Sequence, residues 1–205
     1  MAFDPEQASA VLTAADPVMG ALIASLGPMH RDQRMRGETF PVLLRAIVYQ
    51  QLSGKAAGTI HGRVLALFGE RQPAAAALAG IGDDALRGAG LSANKLRALR
   101  DLAAKCQDGT VPAMRSLRRL DDEAIIQRLT AVRGVGRWTV EMLLIFRLRR
   151  PDVLSATDLG IRKGYAVVSG CGLPAPAELA RIGQAWAPYR SVASWYLWRA
   201  AEQAG

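Results

Sequence analysis

Residues Ala131–Phe146 read AVRGVGRWTVEMLLIF. Two glycines flank a single valine, and an apolar pattern of helical period begins directly behind them. Gly134 and Gly136 permit a positive φ and a close backbone approach that a Cβ would oppose. The helix they open leaves its first N–H groups without intrahelical partners. Those groups and the helix dipole together make a site for an anion. Val135, between the glycines, can seal such a hairpin onto a core. The plain alternative is one helix ended by glycine and another begun, with no ligand involved.

The whole chain narrows the choice of anion. Its 205 residues carry 26 Lys and Arg against 18 Asp and Glu, a formal net charge of +8, which favours a polyanionic partner. Nucleic acid is the first such partner and an anionic membrane surface the second. Half of the residues are apolar and about a fifth charged, as in a soluble globular protein. No apolar run approaches the ~20 residues that span a bilayer, and the opening MAFDPEQASA lacks the pattern of a secretory signal. A cytoplasmic location of bacterial type is expected. Cys106 and Cys171 cannot supply the four thiolates of an iron–sulfur cluster, and neither C-x-x-C nor H-x-x-x-H spacing occurs. No catalytic cofactor is expected.

Along the chain almost every segment has helical period and almost none alternates as a strand does. Asp4-Pro5 and Asp16-Pro17 each place a capping acid before a first-turn proline. The polar stretch 28–39 reads as a loop. Residues 40–69 give two helices broken near Ser53-Gly54, and 91–106 give an amphipathic helix with Leu91, Leu96, Leu99 and Leu102 on one side. The total is about ten helices in an all-α fold, with no linker-like stretch to mark a boundary. LRGAGLSANKLRAL (86–99) echoes VRGVGRWTVEMLLI (132–145) in its Arg-Gly-x-Gly turn before a helix. This is either a structural device used twice or a coincidence of short strings.

LTAVRGVGRWTVEMLLIF resembles the helix–hairpin–helix element of base-excision DNA glycosylases, and Asp158, 22 residues beyond Gly136, lies where that superfamily carries an aspartate. AIVYQQLSGKAAGTI and WAPYRSVASWYLWRA are similar to helices of its alkylation-repair branch, the 3-methyladenine DNA glycosylase II group. The likeness runs from Thr39 to the C-terminus and does not include the N-terminal β-rich domain that some bacterial members carry. It implies one glycosylase module over 1–205, in two lobes with a cleft between them. One lobe spans about 39–150 with the helix–hairpin–helix at 122–146, and the other joins about 1–38 to 151–205.

The resemblance implies a hydrolase that flips an alkylated base out of duplex DNA and cuts its N-glycosidic bond. The bases are 3-methyladenine first, then 7-methylguanine or hypoxanthine. Asp158 becomes the catalytic carboxylate, stabilising positive charge that develops on the sugar; as the residue before LGIRKG it is also a good helix N-cap. Trp138 occupies the place where bifunctional relatives carry a nucleophilic lysine, so water attacks and the strand stays intact. Trp138, Met142 and Trp198 are the implied walls of the base pocket, where an indole face attracts a cationic methylated purine; aromatics at such spacing also serve as ordinary core. Gln51 matches the intercalating side chain, or is simply an exposed glutamine at a helix end. Gly134, Val135, Gly136, Arg137, Lys55, Lys95 and Arg162 are candidate DNA-backbone contacts, each of the charged ones equally at home on a solvated face. The carbonyls of Thr130, Val132 and Val135 correspond to a structural Na+ or K+ site. The expected partner is double-stranded DNA, bound by a monomer. The competing functions are excision of uracil, mismatched or oxidised bases, and damage binding without catalysis.

Overall fold

The computed structural model describes residues 3–29, 37–69 and 71–204, and among them the chain is all-α. Most of the expected 28–39 loop, His30 included, lies outside the described residues. The helices are α1 (Pro5–Ala15), α2 (Pro17–Leu26), α3 (Thr39–Tyr49), α4 (Gly54–Ala66), α5 (Ala75–Leu78), α6 (Asp83–Gly88) and α7 (Ala93–Gln107), followed by α8 (Met114–Leu117), α9 (Asp122–Thr130), α10 (Arg137–Leu143), α11 (Leu159–Ser169), α12 (Pro176–Ile182) and α13 (Arg190–Ala204). A π-helical turn, Leu144–Leu148, extends α10, and a 3₁₀ turn, Gly183–Trp186, extends α12. The described residues thus hold thirteen α-helices where periodicity predicted about ten. The additional ones include the single turn α8 and the short α6, too brief to establish a period.

Both Asp-Pro pairs start helices as expected. Asp4 accepts the amide of Glu6, and Asp16 accepts those of Val18 and Met19. The chain divides into two compact units, Met1–Arg34 with Leu144–Gly205, and Met35–Leu143. The division falls where α10 passes into the π-helical turn.

In the first unit, Leu12, Met19, Ile161, Trp186, Tyr196 and Leu197 form a core with no more than 1% exposure. Each such large side chain contributes about 1.5–3 kcal/mol by leaving water. The polar tips are satisfied: the Trp186 indole donates to Asp16 Oδ2 at 2.8 Å and the Tyr196 hydroxyl to the Gly27 carbonyl at 3.1 Å. In the second unit, α7 buries Leu96, Leu99 and Leu102 and packs against α3, α5 and α6. Leu91 is buried as expected, just ahead of the helix.

Candidate functional site

The hairpin lies in the second unit, between α9 and α10. Val132 and Val135 are buried, and the Val135 amide donates to the Val132 carbonyl at 3.0 Å, closing the turn. Gly134 supplies the one positive φ, 76°, and Gly136 is open, since a Cβ built there meets nothing within 4 Å. The turn is tied down from both sides. The Gly134 carbonyl accepts Gln50 Nε2 at 2.8 Å, and the Arg133 amide donates to Asp101 Oδ2 at 2.6 Å. Burial alone would raise the Asp101 carboxyl, but the Arg133 amide and the Lys105 ammonium outweigh it and hold it below the usual carboxylate range.

Arg137, the first residue of α10, is held by two acids. Its guanidinium reaches Glu123 on α9 at 3.0 Å and Glu141 one turn along α10 at 3.0 Å. The Glu141 side chain is only 8% exposed, so Arg137 supplies the charge partner that burial demands. Hydrogen bonding to Glu123 leads the interactions that raise the Arg137 pKa. Trp138, beside it, leaves 47% of its surface exposed, unusual for so large an apolar side chain, and Met142 is half-buried one turn later. The Thr130 hydroxyl donates to the Ile126 carbonyl at 2.7 Å.

Gln51 occupies the turn between α3 and α4, exposed and in the left-handed region at φ 56°. Ser53 caps α4 through the Ala56 amide, and Lys55 is exposed on the first turn of that helix. Lys95 behaves differently from a surface lysine. Its ammonium donates to the carbonyls of Val48 at 2.7 Å and Gln50 at 2.8 Å.

In the first unit, Asp158 is the N-cap of α11, and the same oxygen, Oδ1, accepts two donors. These are the Ile161 amide at 2.9 Å and the Trp198 indole N–H at 2.9 Å. The capping and catalytic readings of Asp158 are therefore compatible: the cap fixes the carboxylate at the head of the helix. Trp198 stacks on Phe146, centroids 5.4 Å apart and planes at 26°. Gly160 makes room for this pair, since a Cβ there would lie 2.9 Å from Trp198 Cδ1 and 3.1 Å from Asp158 Oδ1. Gly164, one turn on, rests directly on α13; its Cβ would fall 1.9 Å from the Leu197 carbonyl oxygen. Arg162 donates through Nε to the Pro174 carbonyl at 2.8 Å and so braces the link to α12. Asp152 forms a two-pronged pair with Arg190, at 2.6 and 2.9 Å, at the start of α13.

Of the expected residues, Asp158 and Trp198 come together in one unit, and Gly134, Val135, Gly136, Arg137, Trp138 and Met142 cluster at the hairpin of the other. Lys95, Arg137 and Arg162 each have partners inside the protein. Nothing in the sequence singles out Phe146, Gln50 or Asp101. Their partners lie 52, 84 and 32 positions away, and no local pattern announces such contacts.

Known proteins of the same build exist. Residues 44–188 match the family described as HhH-GPD superfamily base excision DNA repair protein. DNA-3-methyladenine glycosylase 1 of Schizosaccharomyces pombe is 36% identical over 186 residues, covering 89% of this chain and 82% of that protein. The structure of the S. pombe 3-methyladenine DNA glycosylase Mag1 in complex with abasic DNA superposes with a TM-score of 0.83 at 34% identity, over 94% of this chain and 95% of that one. A crystal structure of DNA-3-methyladenine glycosidase from Bacillus halodurans gives 0.86 at 35% identity, over 95% and 88%.

Proposed function

The chain belongs to the HhH-GPD superfamily of base excision DNA repair proteins, and from that premise we propose that it is a monofunctional DNA glycosylase releasing alkylated bases, 3-methyladenine foremost, from duplex DNA. The observation that carries the reading is the Asp158 carboxylate, held on one oxygen by the Ile161 amide and the Trp198 indole. A carboxylate fixed in place needs no reorganisation when positive charge develops on the deoxyribose. At ~4 Å and an effective dielectric near 20, one such charge pair is worth roughly 4 kcal/mol. That is about a thousandfold in rate.

Tryptophan at 138 presents no amine, so water is the nucleophile and an abasic site in an intact strand is the product. The hairpin approaches the DNA backbone with Gly134, Val135 and Gly136, and Lys55 faces outward to assist. Lys95, Arg137 and Arg162 support the protein framework behind that surface. Gln51 fills the space left by the flipped base; Trp138 and Met142 in the second unit, and Trp198, stacked on Phe146, in the first, are each the kind of aromatic or soft apolar surface that attracts a cationic purine. The carbonyls of Thr130, Val132 and Val135 form a neutral donor set suited to Na+ or K+ rather than to a divalent ion, and such an ion would stiffen the hairpin. The protein works as a monomer on DNA.

Asp158→Asn tests the core of this reading, because asparagine caps about as well as aspartate and removes only the charge. Single-turnover excision from alkylated duplex should fall about a thousandfold while folding and DNA binding persist. Excision at the wild-type rate would reduce Asp158 to a helix cap. Chromatography of the released bases tests the substrate class: uracil or an oxidised purine alone would overturn it. Borohydride should trap no protein–DNA adduct, and efficient trapping would overturn the monofunctional assignment.

A further inference from the structure

The turn that carries Gln51 should be loose by its local sequence. It follows the C-terminus of α3, where the last carbonyls have no helical donors, and glutamine does not favour a left-handed backbone. No glycine stands at 51 to relieve it, yet φ there is 56°. The Lys95 ammonium, reaching from the first turn of α7, takes the Val48 and Gln50 carbonyls that bracket the end of α3. A cation at a helix C-terminus also meets the negative end of its dipole. Gln50, held by its carbonyl on Lys95, extends its own side chain to the Gly134 carbonyl in the hairpin. One chain of hydrogen bonds thus runs from α7 through the turn to the glycine loop, wholly within the second unit.

We propose that Lys95 is a positioning residue for base flipping: it locks the Gln51 turn in its left-handed form, and Gln50 ties that turn to the hairpin, so that the wedge is set whenever the hairpin is seated. The inference rests on the reading of Gln51 as the side chain that enters the duplex. It gives the lysine at 95 a role that a phosphate contact would not have. A phosphate contact acts on every duplex alike, whereas a residue that sets the wedge matters only where a base must still be unstacked.

Single-turnover excision is measured on a 3-methyladenine oligonucleotide in two forms, paired in duplex and opposite an abasic gap, where extrusion is already cheap. Gln51→Ala should lose about tenfold on the paired form, the size of a lost stacking contact, and less than about twofold on the gap. Lys95→Met, which keeps the side chain out to Cε and removes the ammonium, should show the same split, and Lys95→Arg should recover part of it. Gln50→Ala leaves both Lys95 bonds in place and cuts only the tie to Gly134; it should lose about threefold, confined to the paired form, as for one neutral hydrogen bond. Should Lys95→Met fail to fold, the Lys95→Arg and Gln50→Ala pair decides the matter. Equal losses on both substrates for the Lys95 and Gln50 variants, with the split kept by Gln51→Ala, would overturn the proposal and leave the wedge. Loss of the split in Gln51→Ala itself would remove the wedge reading and this proposal with it, while leaving Asp158 untouched.

Discussion

Arg-Gly-x-Gly occurs twice in this chain, at Arg87–Gly90 and at Arg133–Gly136, each time between two helices, and the two copies fold differently. In the first, Gly88 is still helical and the second glycine, Gly90, takes the positive φ of 106°. In the second, the first glycine, Gly134, takes it at 76°, and Gly136 stays open at the mouth of α10. Their surroundings differ to match. Gly90 lies against Ile60, and the helix that follows is capped by its own Ser92. Gly136, by contrast, has no side chain with which to cap α10, and the side-chain bonds that hold its turn come from Gln50, just past the end of α3, and from Asp101 on α7. The same four letters make an internal joint in one place and a presented loop in the other. The neighbours decide which.

Alanine at each glycine tests the contrast. Gly90→Ala should be the most costly to stability, about 2–3 kcal/mol in a denaturant titration, because a left-handed backbone is combined with a Cβ only 3.0 Å from Ile60 Cγ1. A near-neutral result would mean that the first turn is not a packed joint. Gly136→Ala should leave stability unchanged yet weaken duplex binding about tenfold, close to 1.4 kcal/mol, by obstructing the approach of the backbone. Unaltered binding would remove the hairpin from the interface.

Asp101→Asn should destabilise the second turn by about 1 kcal/mol at neutral pH, since a charged acceptor is replaced by a neutral one. Because the folded Asp101 carboxyl is held below its ordinary value, its contribution is present above the carboxylate range and is lost as pH falls through the folded pKa. The gap between variant and wild type should therefore close on acidification; a gap that widened would contradict the bond to Arg133. Gly88→Ala should have the smallest effect, a gain of about 0.5 kcal/mol, since its backbone is helical and a Cβ meets nothing within 4 Å.

The contrast also marks what a sequence can disclose. Helix starts signalled by Asp-Pro, the break at Ser53-Gly54, the leucines of α7 and the hairpin itself rest on local rules of capping and period, and these were legible. The shift of the left-handed position from the second glycine to the first was not, because it depends on Ile60 in one copy and on Asp101 and Gln50 in the other. Long basic side chains were the hardest to place. The sequence shows that a charge exists at Lys95, Arg137 and Arg162, whereas the atom it reaches lies at the end of a flexible stem. Asp158 divides between the two: its place before LGIRKG predicts the helix cap that the structure shows, whereas its catalytic role comes from the resemblance alone.

The contact of Gly164 with the Leu197 carbonyl bears on how such a site could change over time. With no side chain between the two helices, the separation of α11 and α13 is set by main chain on main chain, and no choice of residue at that point can tune it. Asp158 and Trp198 inherit that fixed spacing, and Gly160 makes it intolerant of even a methyl group nearby. Selection for a new lesion would have to leave this frame alone and act on side chains outside it. A mutational library built on this protein should accordingly find Gly160 and Gly164 nearly immutable and side chains away from this contact more permissive.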